Sequence, residues 1–559
     1  MGSKTVHVRK RGYDVLRDPL INKSTAFTAA ERTALGLTGL LPSVINSVSQ
    51  QARRALAGIR GNPSALQKYV ALAALQDRNE YLFYHVLAEN LAELMPIVYT
   101  PTVGLATQNF SQVFQRGRGV WITPDCRGRI AEVLANASVD RNIELIVATD
   151  NESILGIGDQ GAGGMAISIG KLALYVVGAG IDPAATLPVS LDVGTDNKFL
   201  LDDPMYIGWR QSRLRGAAYE ELVDEFVEAV ASEFPGVLLQ WEDFRKDNAQ
   251  NLLARHRQRV LSFNDDIQGT GAVALAGINS ALRILGQSLT EQRVLIYGAG
   301  AAGLGIARQI KAGLALHDID DQTSKRHLAV MDSRGLLIDD KPFDDTYKTE
   351  LAWPSALAVE RGLSGGAGKN LVSVIDGFKP TVLIGASGQP RSFTEEVIGA
   401  LCRHTPRPVV MPFSNPTDNA EAIPADVLRW TQGKALVATG SPFAPVEING
   451  RKISVGQGNN VFIFPGLGLG ALATQSRSIT DAMVAVAAEA LAHTVTADEL
   501  ASGSLYPDVS RLNAVSQIVA RAVARQAHQD GVAMRSLNEA IASIEGERWS
   551  SEYRTCVAV

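Results

Sequence analysis

At 559 residues, with 46% hydrophobic and 20% charged side chains, the chain is too long for one domain and too apolar for a disordered or fibrous protein. Its 53 basic and 58 acidic residues leave a net charge of -5, which argues against a nucleic-acid surface and points to small-molecule partners. Three scattered cysteines, Cys126, Cys402 and Cys556, exclude a disulfide framework and a structural zinc site and fit a reducing cytoplasm.

The N-terminus "MGSKTVHVRKRG" has no apolar signal region, and Val6 stands where a myristoylation signal needs Ser or Thr. From about residue 28 to 117 the pattern is helical, opening with the capped stretch "TAAERTALGL". Strand-like runs follow at 143–150, 186–193 and 236–243, separated by helical patterns. From 293 onward short apolar runs, "RVLIY", "HLAVMD", "TVLIG", "PVVMPF" and "ALVAT", each lead into a Gly-, Ser- or Asn-rich turn. Ligands of open α/β sheets bind outside the carboxyl ends of the strands, so these turns mark a binding edge. The chain is then mainly helical to about 527 and closes with a polar tail, in which Cys556 reads as an exposed thiol. No apolar run is read as long enough to span a membrane, so no membrane partner is expected.

Two loops share the spacing G-x-G-x-x-G: "GIGDQG" at 156–161 and "GAGAAG" at 298–303. The second abuts the strand "RVLIY" and opens a helix, the context in which Gly298, Gly300 and Gly303 seat a pyrophosphate on a helix N-terminus. Asp332 ends the next strand, placed to accept from a ribose 2'-hydroxyl, which favours NAD; Arg334, two residues on, keeps NADP open. The first loop stands away from its strand and carries Asp159, whose charge would repel a phosphate.

After that first loop, the apolar run "GMAISIGKLALYVVGAGI" is broken by one charge, Lys171. A lysine in apolar surroundings becomes a candidate general base; a lysine snorkelling to the surface reads equally well from the residues alone. Two acid pairs, Glu242–Asp243 and Asp265–Asp266, end apolar runs and offer the carboxylate oxygens that Mg²⁺ or Mn²⁺ prefers, though acid pairs in loops are also commonly solvated or capping.

Together "LMPIVYTPTVG" (94–104), "ILGIGDQGAGGMAISIGKLALY", "DVGTDN", "LLQWEDF", "FNDDIQGTG", "PFSNPT", "ATGSPF" and "QGNNVFIFPGLGLG" resemble the malic enzyme family over nearly the whole chain. The resemblance implies oxidative decarboxylation of L-malate to pyruvate and CO₂ with NAD and Mn²⁺ or Mg²⁺. It implies Tyr99 as general acid, Lys171 as general base and Glu242, Asp243 and Asp266 as metal ligands, with Asp265 beside them as a further catalytic group. Asn415 and Asn460 would bind substrate, and Asn415 also the cofactor together with Gly298, Gly300, Gly303 and Asp332. The expected fold is α/β and multidomain: a helical N-terminal domain (1–117), a central α/β substrate and metal domain (118–264 with 460–527), a doubly wound Rossmann-type NAD-binding domain (265–459) and a C-terminal tail (528–559). A homotetramer or homodimer is implied as well.

One position departs from the pattern. Ser153 stands in "ESILG" where the family's "ERILG" supplies an arginine for a malate carboxylate, and a serine cannot make bidentate charge-assisted hydrogen bonds. By sequence neighbourhood alone, Arg127 and Arg129 are candidates to replace it. Malolactic enzymes, which give L-lactate with retained NAD, also tend to lack that arginine and form the alternative; a regulator that binds nucleotide without turnover is the third reading.

Overall fold

Runs rich in Val, Leu and Ile become strands because both of their faces are covered, which removes the need for polar alternation. The computed structural model describes residues 5–340, 342–343, 345–546 and 548–559. The chain divides into two units, one running to Asp243 and recovering the C-terminal segment 548–559, the other spanning Phe244–Gly546.

The first unit opens with strand β1 (Thr5–Val8) and a helix, Ala29–Ala34, capped as the sequence predicts. Thr28 Oγ accepts from the Glu31 N–H at 3.2 Å and Glu31 accepts from the Thr28 N–H at 2.9 Å, a reciprocal pair in which the cap alone contributes about 1 kcal/mol. Helices Val48–Arg60, Ala65–Arg78, Glu80–Glu89 and Leu91–Val98 follow. Four of the unit's strands, β2 (Val120–Ile122), β3 (Leu145–Thr149), β4 (Thr186–Leu191) and β5 (Leu238–Trp241), pair in parallel in the order β2-β4-β3-β5. Every residue of β3, β4 and β5 is buried, which explains their mainly apolar sequence.

Two expectations need correction here. The stretch Gly161–Ala179 is long and apolar enough to cross a membrane by length and composition, and it is instead a core helix, buried along almost all of its length. Cys556 is not exposed: strand Thr555–Ala558 pairs in parallel with β1, with Val6 opposite Cys556, and turns the thiol onto Val15, Phe27 and Leu35. A four-residue strand in a polar stretch gives little periodic signal, and its partner lies at the other end of the chain. Burial also pushes the Cys556 thiol pKa up, so the sulfur stays protonated.

The second unit contains β6 (Ser262–Asn264), β7 (Val294–Tyr297), β8 (Leu328–Asp332), β9 (Gly335–Leu336), β10 (Val382–Gly385), β11 (Val409–Pro412) and β12 (Leu436–Thr439). Six of these and the short strand Gly456–Gln457 form a sheet in the order (456–457)-β12-β11-β10-β7-β8-β9, parallel throughout except for β9. Strand order reverses at β7, with β8 on one side and β10 on the other, and that switch point is where a doubly wound sheet opens its ligand crevice. Leu295, Ala329, Leu383, Val410 and Val437 from five strands build a core with Trp353, Phe378 and Phe393.

Candidate active site

In the first unit β3 feeds the loop "GIGDQG", and Asp159 explains that loop. Its carboxylate binds Arg213 through both oxygens (Nε to Oδ2 2.8 Å, the second nitrogen to Oδ1 3.1 Å) and accepts from Thr195 Oγ1 at 2.8 Å and the Asp196 N–H at 2.9 Å. Burial opposes the charge on Arg213, but the hydrogen bonds of Asp159 and the negative potential of Asp150 and Asp159 outweigh it and hold its pKa above the ordinary guanidinium value. The loop is thus stapled to "DVGTDN".

The loop leads into the helix Met165–Ala179, which carries Lys171. A Cβ on Gly170 would lie 2.6 Å from the Val98 carbonyl oxygen, so only glycine lets the helix cross the "VYTPT" segment this closely. That crossing brings Lys171 Nζ within 5.2 Å of the centroid of the Tyr99 ring, within cation–π range. Lys171 is 1% exposed, which removes the snorkelling reading, and its Nζ lies 3.0 Å from Glu242 Oε1. Glu242 Oε2 accepts from Gln240 Nε2 at 2.7 Å, and Gln240 Oε1 accepts from Tyr175 Oη at 2.5 Å. Asp243, also buried, has φ +56°, an uncommon conformation for a non-glycine residue. Its carbonyl oxygen accepts from the Ser153 N–H at 3.0 Å.

In the second unit the turn after β7 has the dinucleotide form. Gly298 has φ +125° and would place a Cβ 2.2 Å from the Ala386 carbonyl oxygen, and a Cβ on Gly303 would sit 1.9 Å from the Gly298 oxygen. A Cβ on Gly300 would meet nothing within 4 Å, and this residue caps helix Ala301–Ala315. The backbone there is open to an incoming phosphate, so the turn fits a dinucleotide. Asp332 ends β8 and accepts from Lys348 Nζ at 2.6 Å and from the Arg334 N–H at 2.8 Å. Burial raises the Asp332 pKa, but these hydrogen bonds and the positive charges of Lys348 and Arg334 bring it below the ordinary carboxylate value.

The pair Asp265–Asp266 starts a single π-helical turn after β6, capped by Asn264, whose Oδ1 accepts from the Ile267 N–H at 2.9 Å. Asp265 is fully buried and Oδ2 accepts from Asn460 Nδ2 at 2.9 Å, so two predicted residues far apart in sequence meet. Asp266 is half-buried. Asn415, exposed at the turn after β11, accepts from Ser441 Oγ.

Sequence reasoning passed over Gln240, Tyr175, Arg213 and Lys348. Gln240 had a usable signal, a polar residue two positions before Glu242 on the same face of a buried strand. The two suggested substitutes for the missing arginine are exposed and occupied on the surface, Arg127 by Glu221 and Arg129 by the Asp125 carbonyl oxygen at 3.4 Å.

A doubly wound sheet with a glycine turn at its switch point, carried on the same chain as a buried lysine set against a carboxylate, defines a dinucleotide-dependent enzyme of the α/β class. The chain belongs to the malic enzyme family: the model for the malic enzyme N-terminal domain matches residues 76–257 and that for the malic enzyme NAD-binding domain matches 267–528. It is 44% identical over 554 residues to the NAD-dependent malic enzyme of Aeromonas hydrophila, covering 99% of this chain and 97% of that protein. With the NAD-dependent malic enzyme of Shewanella frigidimarina it shares 45% identity over 544 residues, 97% of this chain and 96% of that one. Among solved structures, malic enzyme from Entamoeba histolytica superposes with a TM-score of 0.56 at 22% identity, covering 91% of this chain and 90% of that one, which shows a shared fold.

Proposed function

We propose that this chain oxidatively decarboxylates L-malate to pyruvate and CO₂ with reduction of NAD, and that Lys171, Tyr99, Glu242, Asp243, Asp265 and Asp266 carry the chemistry. The observation that carries the assignment of roles is the buried cluster in which one amine faces a carboxylate and a phenol. The names of relatives matching almost the whole chain support the reaction.

Lys171 takes the proton from the C2 hydroxyl, and the ammonium that forms is stabilised by Glu242. Tyr99 then protonates C3 of the enolate left after CO₂ departs, its phenol polarised by the neighbouring ammonium. When bound, NAD would supply the acceptor for the C2 hydride and a divalent ion would supply Lewis acidity for the C2 oxygen. We assign that ion to Glu242, Asp243 and Asp266: the buried adjacent acids at the end of β5 form an oxygen-only donor set, which suits the hard cations Mn²⁺ and Mg²⁺. Asp265, held by Asn460, stands beside this set in sequence. Gly298, Gly300, Gly303 and Asp332 would hold NAD, with Asn415 serving cofactor and substrate and Asn460 the substrate. Asp332, as acceptor for a ribose 2'-hydroxyl, and the NAD-dependent relatives support NAD, while Asp332 itself pairs with the cations Lys348 and Arg334.

The deciding experiment is turnover with NAD, Mn²⁺ and L-malate, following nicotinamide absorbance while identifying the organic acid. NADH and pyruvate in equal amounts are expected; lactate without net NADH would transfer the protein to the malolactic reaction that Ser153 suggested. We also assign a homo-oligomeric state, dimer or tetramer, which suits the exposure of Phe199, Met205 and Ile207 on the first unit; light scattering tests it.

A further inference from the structure

The Asp332 turn sits on the β8 side of the glycine turn, so the opposite half of a dinucleotide lies toward β10 and β11. Beneath the turns that follow those two strands is Glu421, 0% exposed. Its Oε1 accepts from the Ser387 N–H (2.8 Å), from Ser387 Oγ (2.8 Å) and from Ser414 Oγ (2.6 Å), and its Oε2 accepts from the Ser414 N–H (3.3 Å). Ser414 Oγ in turn accepts from the Gly388 N–H at 2.9 Å. Gly385, the last residue of β10, has no room for a side chain, since its Cβ would lie 2.5 Å from Glu421 Oε2.

Among the described residues no Lys, Arg or His comes within ion-pair distance of Glu421. A carboxylate buried away from cations is costly, and it persists where several donors converge on it. The donors here come from two different loops. An apolar side chain of the same size would fill the space but would leave two N–H groups and two hydroxyls to find other acceptors, and the loops would be free to separate.

We propose that Glu421 is a positioning residue that clamps the turn 386–389 to the turn 414–416 and thereby fixes Asn415 for the nicotinamide half of NAD and the substrate. It touches neither ligand itself. The proposal rests on the reading of the chain as an NAD-dependent malic enzyme.

The test compares wild type, Glu421→Gln, Glu421→Ala and Ser387→Ala/Ser414→Ala, alone and combined, by kcat, KM for NAD and malate, NAD affinity from fluorescence titration, and thermal unfolding. Glu421→Ala is expected to lower kcat/KM for NAD about 30-fold or more and to weaken NAD binding, while Glu421→Gln, whose carbonyl oxygen can keep the three contacts of Oε1, stays within about tenfold of wild type. In the double-serine background the Glu421→Ala step should shrink to about threefold or less, because the acid acts through those serines. Unchanged NAD affinity and kcat/KM in Glu421→Ala would overturn the proposal, as would losses of equal size with and without the serines. If Glu421→Ala does not fold, Glu421→Gln against the serine variants decides in the same way. If wild type does not turn over malate, the family reaction fails for this chain while the NAD titrations still decide the role of Glu421.

Discussion

Lys171 Nζ stands 3.0 Å from Glu242 Oε1, and the other oxygen of that carboxylate is held by Gln240. The amine therefore has a fixed partner before any substrate arrives, and that partner is itself held in place through Gln240 and Tyr175. In the proposed reaction an amine that accepts a proton would gain a stabilised product state, and a carboxylate that holds a cation a defined orientation.

Replacing Lys171 with alanine removes the proposed base. Turnover should fall by about 10²–10⁴ while NAD affinity stays at the wild-type level, because the glycine turn belongs to the other unit. Steady-state kinetics with a parallel NAD titration checks this, and unchanged turnover would exclude Lys171 as the base.

Tyr99→Phe keeps the ring against Lys171 and deletes only the hydroxyl. The expected result is a loss in kcat of about 10²-fold or more with little change in KM for malate, the pattern of a group needed after binding.

Gln240→Leu strips the donor from Glu242 and the acceptor from Tyr175 in a fully buried setting. The folded state should lose about 1–3 kcal/mol of stability, and Mn²⁺ affinity measured by electron paramagnetic resonance should weaken about 10-fold or more. Mn²⁺ binding equal to wild type would separate Gln240 from the metal site.

Acid should loosen the junction between the chain ends. Burial raises the pKa of Glu31, but the N–H of Cys556, the ammonium of Lys23 and the N–H of Thr28 outweigh it and hold the pKa below the ordinary 4.5. A depressed carboxyl pKa gives stability that is present above the unfolded value near 4.5 and is lost as pH falls from there through the folded value. Thermal unfolding of wild type and Glu31→Gln should therefore differ near neutral pH and converge in acid. A gap that persists below the folded value would assign the effect to packing.

The glycine turn, its strand and Asp332 were legible because strand, tight turn and helix follow one another in sequence and each leaves a local pattern. Strands β7, β8, β10, β11 and β12 were legible for a similar reason, as buried apolar runs bounded by turns. Lys171 drew attention as a lone charge, but its choice between core and surface depended on Gly170 meeting Val98, a contact no periodicity encodes. Gln240 and Glu421 were passed over because a buried polar residue looks like any other until its donors arrive from distant loops.

Among the described residues strand β1 pairs with Thr555–Ala558, far away in sequence. During synthesis β1 must therefore wait, unpaired, until residues 555–558 have emerged. The first unit cannot be completed while the second is still being made, so a chain cut short late in translation would carry a finished nucleotide-binding sheet beside an unsealed first unit. Such a product would expose Val15, Phe27 and Leu35 to the chaperones and proteases that survey newly made proteins.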